Sequence, residues 1–109
     1  MRAQRPLALI ASTAASLLLS TPAAAAPQNH VVVIDKMKFG SVPANIRPGD
    51  TILWINRDMF RHTATAANKS FDVDLPPKTQ KRMTLRTSGS IAFTCKYHPG
   101  MRGVLKVTR

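Results

Sequence analysis

The sequence predicts an all-β domain, a sandwich or small barrel of about seven to eight short strands. Beyond residue 26, no window of about 11 residues shows the period of an amphipathic helix. Proline and glycine interrupt the chain at short intervals, and the runs between them alternate apolar and polar residues or are β-branched. Strands of this length and spacing are typical of sandwiches and barrels.

In the first half of the domain, Ala44–Arg47 is predicted only as a short extended piece, whereas strands are predicted at His30–Ile34, with its continuation through Met37 and Phe39, and at Thr51–Asn56. The last of these is the clearest, because Ile52 and Trp54 share one face and Leu53 and Ile55 the other. A turn at Pro48-Gly49-Asp50 separates it from the segment before.

The second half contains five further predicted strands, at His62–Ala66, Phe71–Val73, Gln80–Arg86, Ser90–Cys95 and Val104–Thr108. In Ser90–Cys95 the alternation places Ile91, Phe93 and Cys95 on the buried face. Phe39, Trp54 and Phe93 are expected in the core, since each lies on the apolar face of its segment.

The N-terminus has the three-part pattern of a secretory signal peptide. Arg2 and Arg5 precede an Ala/Leu-rich stretch, and small residues follow at positions 23–26, which predicts cleavage near Ala25. An uncleaved membrane anchor is the alternative, but Pro22 and the small residues favour cleavage. We therefore expect a signal peptide over residues 1–25 and a monomeric periplasmic domain over residues 26–109, with no stable membrane insertion after cleavage.

Charge and cysteine content limit what such a domain can be. The chain of 109 residues carries 16 Lys and Arg against 5 acidic residues, a net charge of +11 that becomes +9 once Arg2 and Arg5 are removed. Export disfavours nucleic acid as the partner of this charge. Small domains often need a disulfide or metal to supplement their core, and the single Cys cannot form an internal disulfide. The sequence therefore favours a metal.

The candidate ligands lie near the C-terminus. Cys95, His98 and Met101 follow one another at three-residue intervals, which lets one loop direct all three side chains to one ion. Sulfur ligands with imidazole favour copper, and a His₂Cys site with a weak axial Met is the blue-copper arrangement. His62 can supply the second imidazole, and His30 is the other candidate. A Cys-x-x-His pair also occurs in zinc sites, but those close with Cys or His rather than Met.

On these residues the chain resembles the cupredoxins, the single-domain blue-copper electron carriers. The resemblance spans about residues 31–108 and includes the Cys95–Gly103 loop and the segment Pro43–Asp58, which leads to the family's first His ligand. The short Cys-x-x-His-x-x-Met loop is most similar to that of the amicyanin subfamily. The resemblance implies a Greek-key β-sandwich with His62, Cys95, His98 and Met101 as ligands of one type 1 copper ion. Thr63 departs from the family, which often has Asn after its first His.

The function implied is periplasmic transfer of single electrons between redox partners. An enzyme is disfavoured, because a site with all ligands filled leaves no position for substrate and no catalytic triad or carboxylate pair is present. Copper storage or delivery to a cuproenzyme is the alternative, since it would use the same ligands. The resemblance also implies that His98 reaches the surface, with Pro99, Gly100, Met59 and Phe60 as candidates for an apolar ring around it. The positive charge favours an acidic partner: a cytochrome, a dehydrogenase or an oxidase domain.

Overall fold

The computed structural model describes residues 2–6, 8, 10, 12–17 and 26–109, so the expected cleavage position near Ala25 lies outside the described residues. Within the described ranges the chain forms eight strands and no helix: β1 Asn29–Asp35, β2 Lys38–Phe39, β3 Thr51–Asn56, β4 His62–Ala66, β5 Asp72–Leu75, β6 Gln80–Thr84, β7 Gly89–Thr94 and β8 Arg102–Val107. The predicted all-β class and strand number are confirmed. In the part of the chain so described, no helix is long and apolar enough to cross a bilayer.

The strands form two four-stranded sheets, ordered β2-β1-β3-β6 and β5-β4-β7-β8. The β1–β3 pair is parallel, whereas the other pairs within the sheets are antiparallel. The predicted extended piece at Ala44–Arg47 contributes a single bridge, from Ile46 to Val107. That bridge joins the segment before β3 to the end of β8.

The core lies between the two sheets, where the alternation of each strand directs its apolar face. Its fully or almost fully buried members include Val32, Ile34, Ile52, Trp54, Ile91, Phe93, Leu105 and Val107. Phe93 lies at the centre of an aromatic cluster, with its ring centroid 4.8 Å from that of Phe39, 5.2 Å from Trp54 and 6.4 Å from Phe71. This cluster holds β7, the strand that leads into Cys95, against the opposite sheet.

One local prediction is wrong at the end of β1. The sequence alternation suggests that the strand continues through Met37, but the chain reverses at Lys36 and Met37, which have φ values of 51° and 61°. Asp35 then pairs with Lys38 across a two-residue hairpin. Such turns usually contain Asn or Gly. Here the Asp58 carboxylate compensates, because it accepts hydrogen bonds from the backbone N–H groups of both turn residues.

The other strands of the second half also differ from prediction at their ends, except β4. β7 ends at Thr94, one residue before the predicted end at Cys95, and β8 begins at Arg102, two residues before the predicted start at Val104. β5 extends to Leu75, beyond the predicted Phe71–Val73, because its ladder with β4 continues until Leu75 lies opposite His62. β6 ends at Thr84, two residues before the predicted end at Arg86. Leu85 remains tied to the turn before β3, since its N–H donates to the Asp50 carbonyl.

Candidate metal centre

The side chain of His62 converges at one end of the sandwich with those of Cys95 and His98, which come much later in the sequence. His62 is the first residue of β4, Cys95 follows the last residue of β7, and His98 lies in the loop between β7 and β8. The candidate ligand atoms of these three residues all lie within 4.8 Å of one another. β4 and β7 are paired, with Thr65 opposite Thr94, and this pairing brings the start of one strand to the end of the other.

The distances between the three donor atoms suit a single ion. Nδ1 of His62 lies 3.2 Å from Nδ1 of His98, and Sγ of Cys95 lies 3.8 Å and 3.6 Å from these two nitrogens. The point equidistant from all three atoms is about 2.1 Å from each, close to the lengths of metal–nitrogen and metal–thiolate bonds. One thiol with two imidazoles is a donor set that fits copper.

The orientation of His62 is fixed from behind by Asp58. Nε2 of His62 donates a hydrogen bond of 2.8 Å to the Asp58 carboxylate, so Nδ1 faces Cys95 with its lone pair. Burial raises the pKa of Asp58, but hydrogen bonds from Met37, His62 and Lys36 outweigh it, and the pKa is lowered from its usual value. A carboxylate behind a ligating histidine fixes its tautomer and increases its basicity.

The loop that carries Asp58 is braced by Asn56, the last residue of β3. Its buried amide nitrogen donates to the carbonyls of Phe60 and Leu75, at 2.8 Å and 3.0 Å. Its amide oxygen accepts from the N–H of Asp58 at 2.9 Å. The sequence analysis identified this stretch only as part of the segment that leads to His62, and the supporting roles of Asn56 and Asp58 were missed. The available signal was a carboxylate four residues before a candidate ligand histidine.

The loop from Cys95 to Met101 is closed by its own backbone. The N–H of Cys95 donates to the carbonyl of Met101 at 3.1 Å, and the N–H of Met101 donates to the carbonyl of His98 at 2.9 Å. Met101 is buried, with 5% of its surface exposed. The Sγ atom of Cys95 accepts a hydrogen bond of 3.4 Å from the N–H of Thr63. The spacing noted in the sequence thus corresponds to a compact turn.

The three donor residues differ in their exposure to solvent. His62 and Cys95 are buried, whereas His98 is partly exposed. The ring of Phe60 lies 6.4 Å from that of His98, and Met59 and Phe60 are both more than half exposed. The exposed apolar side chain of Phe60 therefore lies next to the partly exposed ring of His98.

His30 belongs to a different environment. Its Nε2 atom lies 2.9 Å from the Asp50 carboxylate, and the side chain is 9% exposed. The structure does not bring it into the cluster with His62, Cys95 and His98. His30, the other candidate imidazole in the sequence, instead contacts a buried carboxylate that the turn before β3 places next to it.

This fold, with two imidazoles and a thiol converging at one end of the sandwich, defines a cupredoxin, the class of single-domain blue-copper proteins. No family model matches the chain. Curated relatives do: the chain is 33% identical over 91 residues to amicyanin from Paracoccus versutus, covering 75% of this chain and 69% of that protein. It is also 30% identical over 93 residues to amicyanin from Paracoccus denitrificans, covering 78% and 71%. The chain belongs to the amicyanin family.

Solved structures agree with this assignment. The crystal structure of amicyanin from Paracoccus versutus matches with a TM-score of 0.62 at 28% identity, over 82% of this chain and 86% of that one. The reduced Cu(I) form of an amicyanin variant matches with a TM-score of 0.61 at 29% identity, over 73% and 82%. The resemblance to cupredoxins, and to amicyanins among them, is confirmed.

Proposed function

We propose that this protein is a periplasmic type 1 copper protein that carries single electrons between redox partners and is not an enzyme. His62, Cys95, His98 and Met101 would be the copper ligands. Residues 1–25 would be the signal peptide and residues 26–109 the copper-binding domain. The observation that carries the proposal is the convergence of two Nδ1 atoms and one Sγ atom at separations of 3.2 to 3.8 Å.

The bound copper would supply a one-electron change between Cu(I) and Cu(II). The protein's own contribution is to hold the ligands nearly still through that change, since each rearrangement would add to the barrier. The Asp58 carboxylate fixes the ring of His62. The N–H of Thr63 donates to Sγ of Cys95, and the closed backbone turn fixes the loop that carries His98 and Met101.

The partly exposed edge of His98 is the proposed route for the electron. Phe60, whose ring lies beside it, and the preceding residue Met59 are 59% and 71% exposed, which suits a small apolar contact that forms and separates quickly. Transient redox complexes have such small interfaces. The buried position of the other two donors leaves His98 as the ligand that a partner can approach.

The proposed partner is an acidic redox protein: a cytochrome, a dehydrogenase or an oxidase domain. Four of the five acidic side chains are already engaged: Asp50 and Asp58 with histidines, Asp72 with Lys96, and Asp74 with Arg61. Among residues 26–109 the other Lys and Arg side chains form no ion pair, so the surface presents most of its positive charge to an approaching partner. Electrostatic steering of this kind predicts that the bimolecular rate falls as ionic strength increases.

The test is to add copper(II) to the purified protein and record the visible spectrum. We expect an intense thiolate-to-copper band that Cys95→Ser abolishes, whereas Met101→Leu retains the colour and shifts the reduction potential. Absence of the band in the wild type would refute the proposal. Delivery of copper is the competing function: transfer of the metal to an acceptor apoprotein would support it, and fast electron self-exchange with tightly held copper would count against it.

A further inference from the structure

The residue after His62 connects both ligand-bearing segments. Thr63 is buried, and its hydroxyl accepts a hydrogen bond of 2.9 Å from the backbone N–H of Lys96, the residue between Cys95 and Tyr97. The same hydroxyl lies 2.9 Å from the hydroxyl of Thr65. Thr63 therefore contacts the ligand loop twice, through its side chain at Lys96 and through its N–H at Sγ of Cys95.

From Thr65 the hydrogen bonds continue outward to Asp72 and then return to Lys96. The hydroxyl of Thr65 lies 2.9 Å from one carboxylate oxygen of Asp72, and the other oxygen of Asp72 accepts from Nζ of Lys96. Lys96 is thus held at its backbone by Thr63 and at its side chain by Asp72. These four residues, Thr63, Thr65, Asp72 and Lys96, are called the hydroxyl ring below.

Chemistry fixes the direction of each hydrogen bond in the ring. A carboxylate can only accept, so the hydroxyl of Thr65 donates to Asp72 and must accept from Thr63. Thr63 then has no further hydrogen and accepts the N–H of Lys96. All hydroxyl protons point towards one anion, and hydrogen bonds arranged in this way polarise and strengthen one another. The pKa of Asp72 is lowered by Lys96 and then Thr65.

We infer that the hydroxyl ring is the device by which this chain positions the Cys95–His98 loop against β4. The inference rests on the proposed copper function. An asparagine amide could bridge the two segments by itself, whereas the shorter threonine supplies a single hydroxyl. In this protein Thr65 and Asp72 supply the rest of the connection. Thr65 and Asp72 are therefore positioning residues that act on the ligands through Thr63 and Lys96.

The burial of its inner residues distinguishes the ring from an ordinary surface ion pair. The side chains of Lys96 and Asp72 are each 52% exposed, and an isolated pair of that kind contributes little to stability. The inner part of the ring is different, because Thr63 is buried and Thr65 is half-buried. Asp74, two residues from Asp72 on β5, also forms an exposed ion pair, with Arg61, but the hydrogen bonds of that pair do not reach the ring.

The test uses Thr65→Val, which removes the central hydroxyl with almost no change in shape or charge. Its matched control is Thr94→Val, because Thr94 lies opposite Thr65 on β7 and its hydroxyl makes no hydrogen bond among the described residues. In the protein without copper, we expect amide hydrogen exchange at Lys96 to become about tenfold faster in Thr65→Val and to stay unchanged in the control. Asp72→Ala should also accelerate this exchange, whereas Asp74→Ala should not.

The copper-loaded protein supplies a readout that a merely structural role would not change. Loss of a group that orients a ligand typically weakens metal binding about 10- to 100-fold. If Thr65→Val weakens binding of one oxidation state tenfold more than the other, the reduction potential shifts by about 59 mV. Thr63→Val should shift it in the same direction, and Thr63→Asn should restore both the potential and the exchange rate at Lys96.

The outcomes separate this inference from the proposed function. Failure of the wild type to develop the thiolate-to-copper band would refute the copper function. A wild type that binds copper, with a Thr65→Val variant that matches it in potential and in Lys96 exchange, would refute the ring alone. Faster exchange with an unchanged potential would make the ring purely structural and would also overturn the positioning role.

Discussion

Gly103 in β8 is a position where one added methyl group should destabilise the domain. It lies opposite Phe93 in the β7–β8 ladder. A Cβ atom at residue 103 would lie 3.0 Å from both Cε1 and Cε2 of Phe93 and closer still to Cζ. Carbon atoms in favourable contact are about 3.5 to 4.0 Å apart. The substitution Gly103→Ala therefore requires the Phe93 ring or the β8 backbone to move.

The size of the effect follows from how tightly the ring is enclosed. Phe93 has no exposed surface, and the rings of Phe39 and Trp54 are centred 4.8 Å and 5.2 Å away. Moving Phe93 would disturb the aromatic cluster that joins the two sheets. Overpacking of a well-filled core typically costs about 1 to 3 kcal/mol, and we expect Gly103→Ala to lie near 3 kcal/mol. That is a large part of the roughly 5 to 15 kcal/mol that stabilises a small domain.

The measurement is urea unfolding of the copper-free protein, followed by the fluorescence of Trp54, which is the single tryptophan. Gly100→Ala is the matched control, because a Cβ at that exposed position meets no atom within 4 Å; its stability should stay within about 0.5 kcal/mol of wild type. Phe93→Leu combined with Gly103→Ala should show a favourable coupling energy. A loss below about 0.5 kcal/mol for Gly103→Ala would refute the steric argument.

Two further predictions concern carboxylates that contact histidines. Asp58→Asn should weaken copper binding about 10-fold and Asp58→Ala up to about 100-fold, because the hydrogen bond that orients His62 is weakened or lost. Competition with a chelator measures the affinity. An equal loss of affinity in the exposed control Asp35→Asn would contradict the prediction. Asp50 has its pKa lowered from 3.8 to about 2, chiefly by the N–H of Gln28, against the opposing effect of burial. Because the folded pKa is the lower one, its stabilisation is present above pH 4 and is lost between pH 4 and 2. Over this range the free energy of unfolding of the wild type should fall by about 2 kcal/mol relative to that of Asp50→Asn. Urea unfolding of both proteins at several pH values measures this, and parallel pH profiles of the two unfolding free energies would contradict it.

The sequence determined the strands and the ligand loop because both depend on residues close together in the chain. Alternation of apolar residues placed Ile91, Phe93 and Cys95 on a buried face, and all three are buried in the structure. The three-residue intervals from Cys95 to Met101 predicted a compact loop, and the structure closes it with two backbone hydrogen bonds. The hairpin at Lys36 was missed, because the carboxylate that satisfies its N–H groups comes from Asp58, outside the local pattern.

Pairings between distant residues were decided by the tertiary structure. Asp72 and Asp74 look equivalent in the sequence, two residues apart on one strand, yet register places one opposite Thr65 and the other opposite Thr63. That register connects Asp72 to the hydroxyl ring and leaves Asp74 with Arg61. A sequence specifies which groups can donate and accept, but the alignment of strands decides which of them meet. The type and spacing of the candidate ligands are therefore readable from the chain, whereas the groups that hold them in place become visible only when strands and loops distant in the sequence are brought together.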